Sequence, residues 1–97
     1  MLTLNDIDFR YRKDAKKFFL KHEDIHEEFK ADILKILNKD HPEQVNFKEL
    51  HGALKGYSRI AINGYRIIYR VERDEIVVVI VAHAGSRGDI YKRFQGR

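Results

Sequence analysis

The sequence predicts an α+β domain of order β-α-α-β-β-β, with two N-terminal helices packed on one face of an antiparallel sheet. Three observations predict it. Two stretches between residues 11 and 38 repeat apolar side chains at helical spacing. An Asn63-Gly64 pair separates two alternating runs. Residues 76–82 are apolar at every position. A length of 97 residues argues for one domain spanning 1–97. At 43% hydrophobic residues it can build one compact core without staples.

The elements follow in order. Residues 2–9 read as a short strand with Leu2, Leu4, Ile7 and Phe9 apolar. Residues 11–21 read as a helix: Tyr11, Ala15, Phe18 and Phe19 form one stripe, and Lys13, Lys16, Lys17 and Lys21 take the outer side. A second helix spans 23–38, with Ile25, Phe29, Ile33, Ile36 and Leu37 as its stripe. Glu23, Asp24, Glu27 and Glu28 suit its positive N-terminal end, and Asn38 and Pro42 are stop signals. Residues 39–56 read as irregular.

Asn63-Gly64 predicts a hairpin, because a two-residue type I′ turn needs φ > 0 at both positions. That turn pairs 62 with 65, 61 with 66 and 59 with 68. One face then carries Ile60, Ile62, Tyr65, Ile67 and Tyr69, a core face. The other carries Arg59, Ala61, Arg66, Ile68 and Arg70, a basic face. The run 76–82 should be a central strand covered on both sides. With a turn at Arg73-Asp74, Val77, Val79, Val81 and His83 join the arginine face, and Gly85 and Gly88 let the chain turn back beside it.

Composition excludes several classes. With no cysteine there is no disulfide scaffold, thiol nucleophile or Cys-ligated metal. No apolar run approaches the ~18 residues of a membrane span, and the start lacks a basic signal-peptide region, so the cytoplasm is the expected location. Charge is unevenly spread: residues 1–50 carry a net −1 and residues 51–97 a net +5. The second half holds seven of the nine arginines. Arginine matches phosphate geometry and stacks on bases, which favours an anionic partner. His22 and His26 stand at i and i+4 without an evident third ligand, so no metal is expected.

Three segments together carry a resemblance. They are Gly64-Tyr65-Arg66-Ile67-Ile68-Tyr69-Arg70-Val71, then Val77 to His83, then Arg87-Gly88-Asp89-Ile90-Tyr91-Lys92. Leu50-His51-Gly52 and Lys55-Gly56-Tyr57 lead into them. The pattern resembles the RelE/ParE superfamily of bacterial toxins from type II toxin–antitoxin systems, and most of all its RelE-type mRNA interferases. It covers nearly the whole chain, and residues 50–92 are its specific part.

The resemblance implies a metal-free, cofactor-free endoribonuclease that enters the ribosomal A site, cuts mRNA there and inhibits translation. It implies a cognate antitoxin as protein partner. It places catalytic roles on Arg66, Arg87 and Tyr91. Cleavage by a ribose 2′-hydroxyl needs a base, an acid for the 5′ leaving oxygen, and cations for the charge on phosphorus. Tyr91 is either the base or a stacking platform. As a base its ordinary pKa of about 10 would have to be lowered by Arg66 and Arg87. His51, Lys55, Arg59, Arg70, His83 and Lys92 are the RNA-binding candidates. The plain alternatives are a solvated basic surface, hydrogen-bonded rim histidines, and an Arg66 paired with Asp89 or Glu72. Ala61 departs from relatives that carry lysine near this position. Two rival functions share the fold: a ParE-like inhibitor of DNA gyrase, and a relative that has lost catalysis.

Overall fold

The structure, a computed structural model, describes residues 1–86. Its elements are β1 (Ile7–Tyr11), α1 (Lys13–Lys21), α2 (Glu23–Asn38), β2 (Phe47–Glu49), β3 (Ser58–Ile62), β4 (Tyr65–Arg73) and β5 (Val77–Ser86). Short 3-10 turns cover Leu4–Asp6, Pro42–Gln44 and Gly52–Leu54. The five strands form one sheet in the order β1-β5-β4-β3-β2. The ladder from β2 to β5 is antiparallel, and β1 joins the edge of β5 in parallel, so the sheet is mixed.

Both helices lie on one face of the sheet. Ala15 and Phe19 of α1 and Ile25, Phe29 and Ile33 of α2 bury against Ile60, Ile62, Ile67, Tyr69, Val77, Val79 and Val81. Phe29 is fully buried and sits 5.7–6.2 Å, ring to ring, from Phe9, Phe19 and Tyr69. His22 divides the helices: its N–H donates to the Phe19 carbonyl, and its own carbonyl accepts from His26 N–H. Asn38 ends α2 and also ties down the N-terminus. Leu2 N–H donates to its Oδ1 (2.8 Å), and its amide donates to the Leu2 carbonyl (2.9 Å).

The Asn63-Gly64 turn forms as expected, with φ of 49° and 83°, and fixes the predicted β3–β4 register. Four expectations are corrected. The first strand begins only at Ile7, because Thr3 and Asp6 close a 3-10 turn: Thr3 N–H donates to the Asp6 carboxylate at 2.8 Å. The first helix starts at Lys13, because Tyr11 still pairs with Val81 and Arg12 N–H donates to the Val81 carbonyl. Within the stretch read as irregular, Phe47–Glu49 adds an edge strand to β3.

The fourth correction concerns faces. Arg73 pairs with Val77, leaving three residues in the β4–β5 turn, so Val77, Val79 and Val81 point at the helices and not to the arginine face. An odd shift in register exchanges the faces. A bulge at Ile68/Tyr69 then shifts the register by one residue more, which puts His83 opposite Ile68.

Candidate nucleic-acid interface

The face of the sheet away from the helices gathers cations from several strands. On β3 and β4, Ala61 stands opposite Arg66 and Arg59 opposite Ile68, with Arg70 two residues further along. Lys48 on β2 lies across from Arg59. Arg10 on β1 lies across from Ile80. Ile68 is 1% exposed and Val78 7%, so these cations border a buried apolar floor. Charge acts more strongly over such a floor than in open water.

The cations differ in what neutralises them. Arg70 pairs with Glu72 at 3.1 Å, and its guanidinium lies 5.9 Å from the centre of the Tyr57 ring. Its Nε–H is buried and has no hydrogen-bond acceptor among the described residues. Arg10 pairs with Asp8 at 2.9 Å. Arg59 donates to Asn46 Oδ1 at 3.2 Å. Arg66 is half-buried and, among the described residues, donates only to the carbonyl of its neighbour Tyr65, at 3.2 Å. Among the described residues no carboxylate pairs with Arg59 or Arg66. Glu72, one acid considered for Arg66, is taken by Arg70 instead. Across from Arg66 stands Ala61, whose side chain is a single methyl group.

The remaining candidates are more scattered. Exposed His51 and Lys55 bracket the 3-10 turn that leads into β3. His83 is 6% exposed, and its Nδ1 lies 3.7 Å from the Asp14 carboxylate at the start of α1. The register sets it opposite Ile68, on the face expected for it, and there it is a buried histidine beside an acid. Arg87, Tyr91 and Lys92 lie outside the described residues, as does the return of the chain past Gly88. His22 and His26 serve the aromatic core. His22 stacks on Phe18 at 4.3 Å, and His26 shares a 2.6 Å hydrogen bond with the Tyr11 hydroxyl. Among the described residues no three His, Cys, Asp or Glu side chains could hold a metal ion.

Sequence reasoning missed Lys48, Asn46 and Tyr57. Lys48 was hidden because a three-residue strand shows too little alternation to be read. Asn46 and Tyr57 flank strands, and only the folded register sets them beside arginines.

The fold and this face define a class: a small α+β domain whose sheet covers a core on one side and carries arginines on the other. Residues 9–87 match the family of ParE toxins of type II toxin–antitoxin systems (parDE), and the chain belongs to that family. Solved structures agree. The RelB–RelE antitoxin–toxin complex from Methanococcus jannaschii contains a chain 26% identical, with a TM-score of 0.57, over 88% of this chain and 98% of that one. YafQ from E. coli strain BL21(DE3) shares the fold at 17% identity and a TM-score of 0.61, over 87% and 97%. The YoeB/ParE toxin from Agrobacterium tumefaciens shares it at 12% and 0.57, over 82% and 98%. No curated protein sequence matches the chain significantly.

Proposed function

We propose that this toxin is a metal-free, ribosome-dependent mRNA endonuclease that halts translation. The observation that carries this reading is the arginine face, where half-buried Arg66 has no carboxylate partner among the described residues and stands across from the small side chain of Ala61. A phosphate diester fits that position, since a guanidinium binds its two oxygens through a planar fork. The buried, unsatisfied Nε–H of Arg70 offers a further donor to an incoming oxygen.

In the reaction, a ribose 2′-oxygen forms a bond to the adjacent phosphorus as the bond to the 5′-oxygen breaks. The 2′-proton goes to a base, and an acid protonates the leaving oxygen. A 2′,3′-cyclic phosphate and a 5′-hydroxyl result. Arg66, with Arg59 beside it, holds the negative charge that builds on phosphorus. By resemblance Arg87 joins them on the phosphate, and Tyr91 either takes the 2′-proton or stacks on a base of the message. His51, Lys55, Arg70 and Lys92 position the message, and His83 borders that surface.

A cognate antitoxin is the expected protein partner, supported by the RelB–RelE complex among the similar structures. An acidic segment laid across the arginine face would silence it, and the edge strands β1 and β2 offer unpaired backbone to an added strand.

The family's name favours a second reading, a ParE-like protein that binds DNA gyrase. One experiment separates the two: primer extension on a translated message after brief induction, with DNA integrity followed in parallel. Discrete cuts within the message are the expected result. An intact message with gyrase-dependent DNA breaks would establish the second reading.

A further inference from the structure

We propose that the free edge of β1 pairs with the same edge of a second copy of this chain, joining two sheets into one about a two-fold axis at Phe9. The stretch that carries it is Asp6-Ile7-Asp8-Phe9-Arg10-Tyr11-Arg12. Two acids precede Phe9 at alternate positions, two arginines follow it, and apolar residues fill the places between. Turned end for end, this stretch is its own electrostatic complement. An antiparallel copy centred on Phe9 sets Asp8 opposite Arg10, Asp6 opposite Arg12 and Ile7 opposite Tyr11, each of them twice. Parallel pairing in register would set acid against acid, which is destabilising. The inference stands whether the toxin cuts RNA or binds gyrase.

The backbone is arranged for this register. β1 bonds to β5 on one side, and among the described residues no strand pairs with its other side. Arg12 N–H donates to the Val81 carbonyl, and the alternation of the ladder turns Asp8 and Arg10 toward β5 as well. The N–H and C=O groups of Ile7, Phe9 and Tyr11 therefore point out of the sheet edge. A two-fold axis at Phe9 makes hydrogen-bonded pairs of those same residues. Asp8 and Arg10 then fall at non-hydrogen-bonded positions, where Cα atoms lie about 4.5 Å apart instead of about 5.5 Å and side chains meet most closely.

Charge and shape favour this edge over the other. β1 has none of the usual guards of an edge strand: no proline, no lysine and no bulge. β2, the opposite edge, is three residues long, and Phe47-Lys48-Glu49 paired about its own centre sets lysine against lysine. Within one chain Asp8 and Arg10 pair at 2.9 Å with both side chains open to water, so exchanging that pair for two between copies costs little. Arg12 is exposed and pairs with no carboxylate among the described residues. The apolar residues agree. Leu4 is exposed just before β1, and Leu20 is exposed in the cleft that Tyr11 and Phe19 line at its far end. The two-fold axis brings the start of one β1 to the end of the other, so each Leu4 approaches the cleft of the other copy. The contact is isologous, and because cross-strand partners share a face, both arginine faces lie on one side of the joined sheet.

The test is sedimentation of the full chain across concentration, with amide hydrogen exchange followed in parallel. The wild type should pass from monomer to dimer. The amides of Ile7, Phe9 and Tyr11 should gain protection as it does, while those of Asp8 and Arg10, already turned to β5, change little. Asp8→Arg and Arg10→Asp each place like charges at both cross-strand sites, and each should raise the dimer dissociation constant about tenfold or more. Mixed in equal amounts, the two variants should form a heterodimer, because every arginine at these positions then faces an acid. The double variant carrying both substitutions should dimerise on its own. Circular dichroism checks that each variant folds. A wild type that stays monomeric at millimolar concentration would overturn the proposal. So would a dimer indifferent to both charge reversals, or one whose new protection falls on β2. Protection of Ile7, Phe9 and Tyr11 only when the antitoxin is added would give this edge to the antitoxin and overturn it as well.

Discussion

The two faces of the β3–β4–β5 sheet are built from the same strands and do opposite work. On the helix side, Ile60, Ile67, Val79 and Val81 are fully buried among aromatic rings. On the other side, Arg59, Arg66 and Arg70 stand on alternate positions of the same strands around a floor of Ile68. Side chains alternate with a period of two, so each residue serves stability or ligand binding according to its parity. The helix side gains from water exclusion and has no charge to satisfy. The arginine side gains little from folding, because exposed ion pairs such as Arg70–Glu72 contribute about 0–1 kcal/mol. On the proposed reading the charge of that side serves binding, and the two faces should separate cleanly under mutation.

The largest effect is expected on the helix side. Phe29→Ala should cost about 3–5 kcal/mol, since Phe29 is fully buried against three other rings. A domain of this size is worth only about 5–15 kcal/mol in all, so denaturant unfolding should show a large fall in midpoint. Near-normal stability would mean that the core centres elsewhere.

Arg66→Ala tests the other face. Cleavage should fall by about 10²–10³, the usual cost of deleting one group that stabilises transition-state charge, with stability within about 0.5 kcal/mol of wild type. Comparable losses of stability and activity would show that Arg66 is a structural residue and erase the distinction between faces.

Ala61→Lys sharpens the comparison. A lysine opposite Arg66 sets like charges across the strands and should lower stability by about 0.2–1 kcal/mol. It should also steepen the salt dependence of RNA binding by roughly 0.7–0.9 in log–log slope. Faster cleavage is the expected result. Slower cleavage would show that a long side chain opposite Arg66 obstructs the ligand.

The smallest effects are pH effects, and they belong to the helix side. Burial first, and then Lys30, holds His26 below its usual value of 6.5. Its neutral form is the folded one, so stability should be present above pH 6.5 and lost as pH falls through the lower folded value. Burial pushes Tyr69 and Tyr11 up to about 12 from 10.0. Stability should therefore hold below pH 10 and decline as pH rises from 10 toward 12. Thermal melts across pH would check both, and Tyr69→Phe and His26→Gln should flatten the alkaline and acid limbs respectively.

Much of this was legible in the residues alone, where local chemistry decides. The α2 stripe at Ile25, Phe29 and Ile33 and the Asn63-Gly64 turn each follow from short-range spacing or backbone preference, and both formed where expected. Because that turn sets register, the arginine parity of Arg59 and Arg66 was legible too. What only the tertiary structure decided are matters of long-range pairing. A three-residue turn and one bulge determined which way Val77, Val79 and Val81 point, and no local pattern in a run of valines distinguishes its two faces. The parallel seat of β1 beside β5, the small edge strand at Lys48 and the burial of His83 near Asp14 all depend on where distant segments meet. Sequence by itself thus determined the elements and the sign of the functional face. On that face Arg10 and Arg70 meet carboxylates two residues away on their own strands, a same-side spacing already present in the sequence, whereas the Asn46 contact of Arg59 exists only because packing brings β2's approach beside β3.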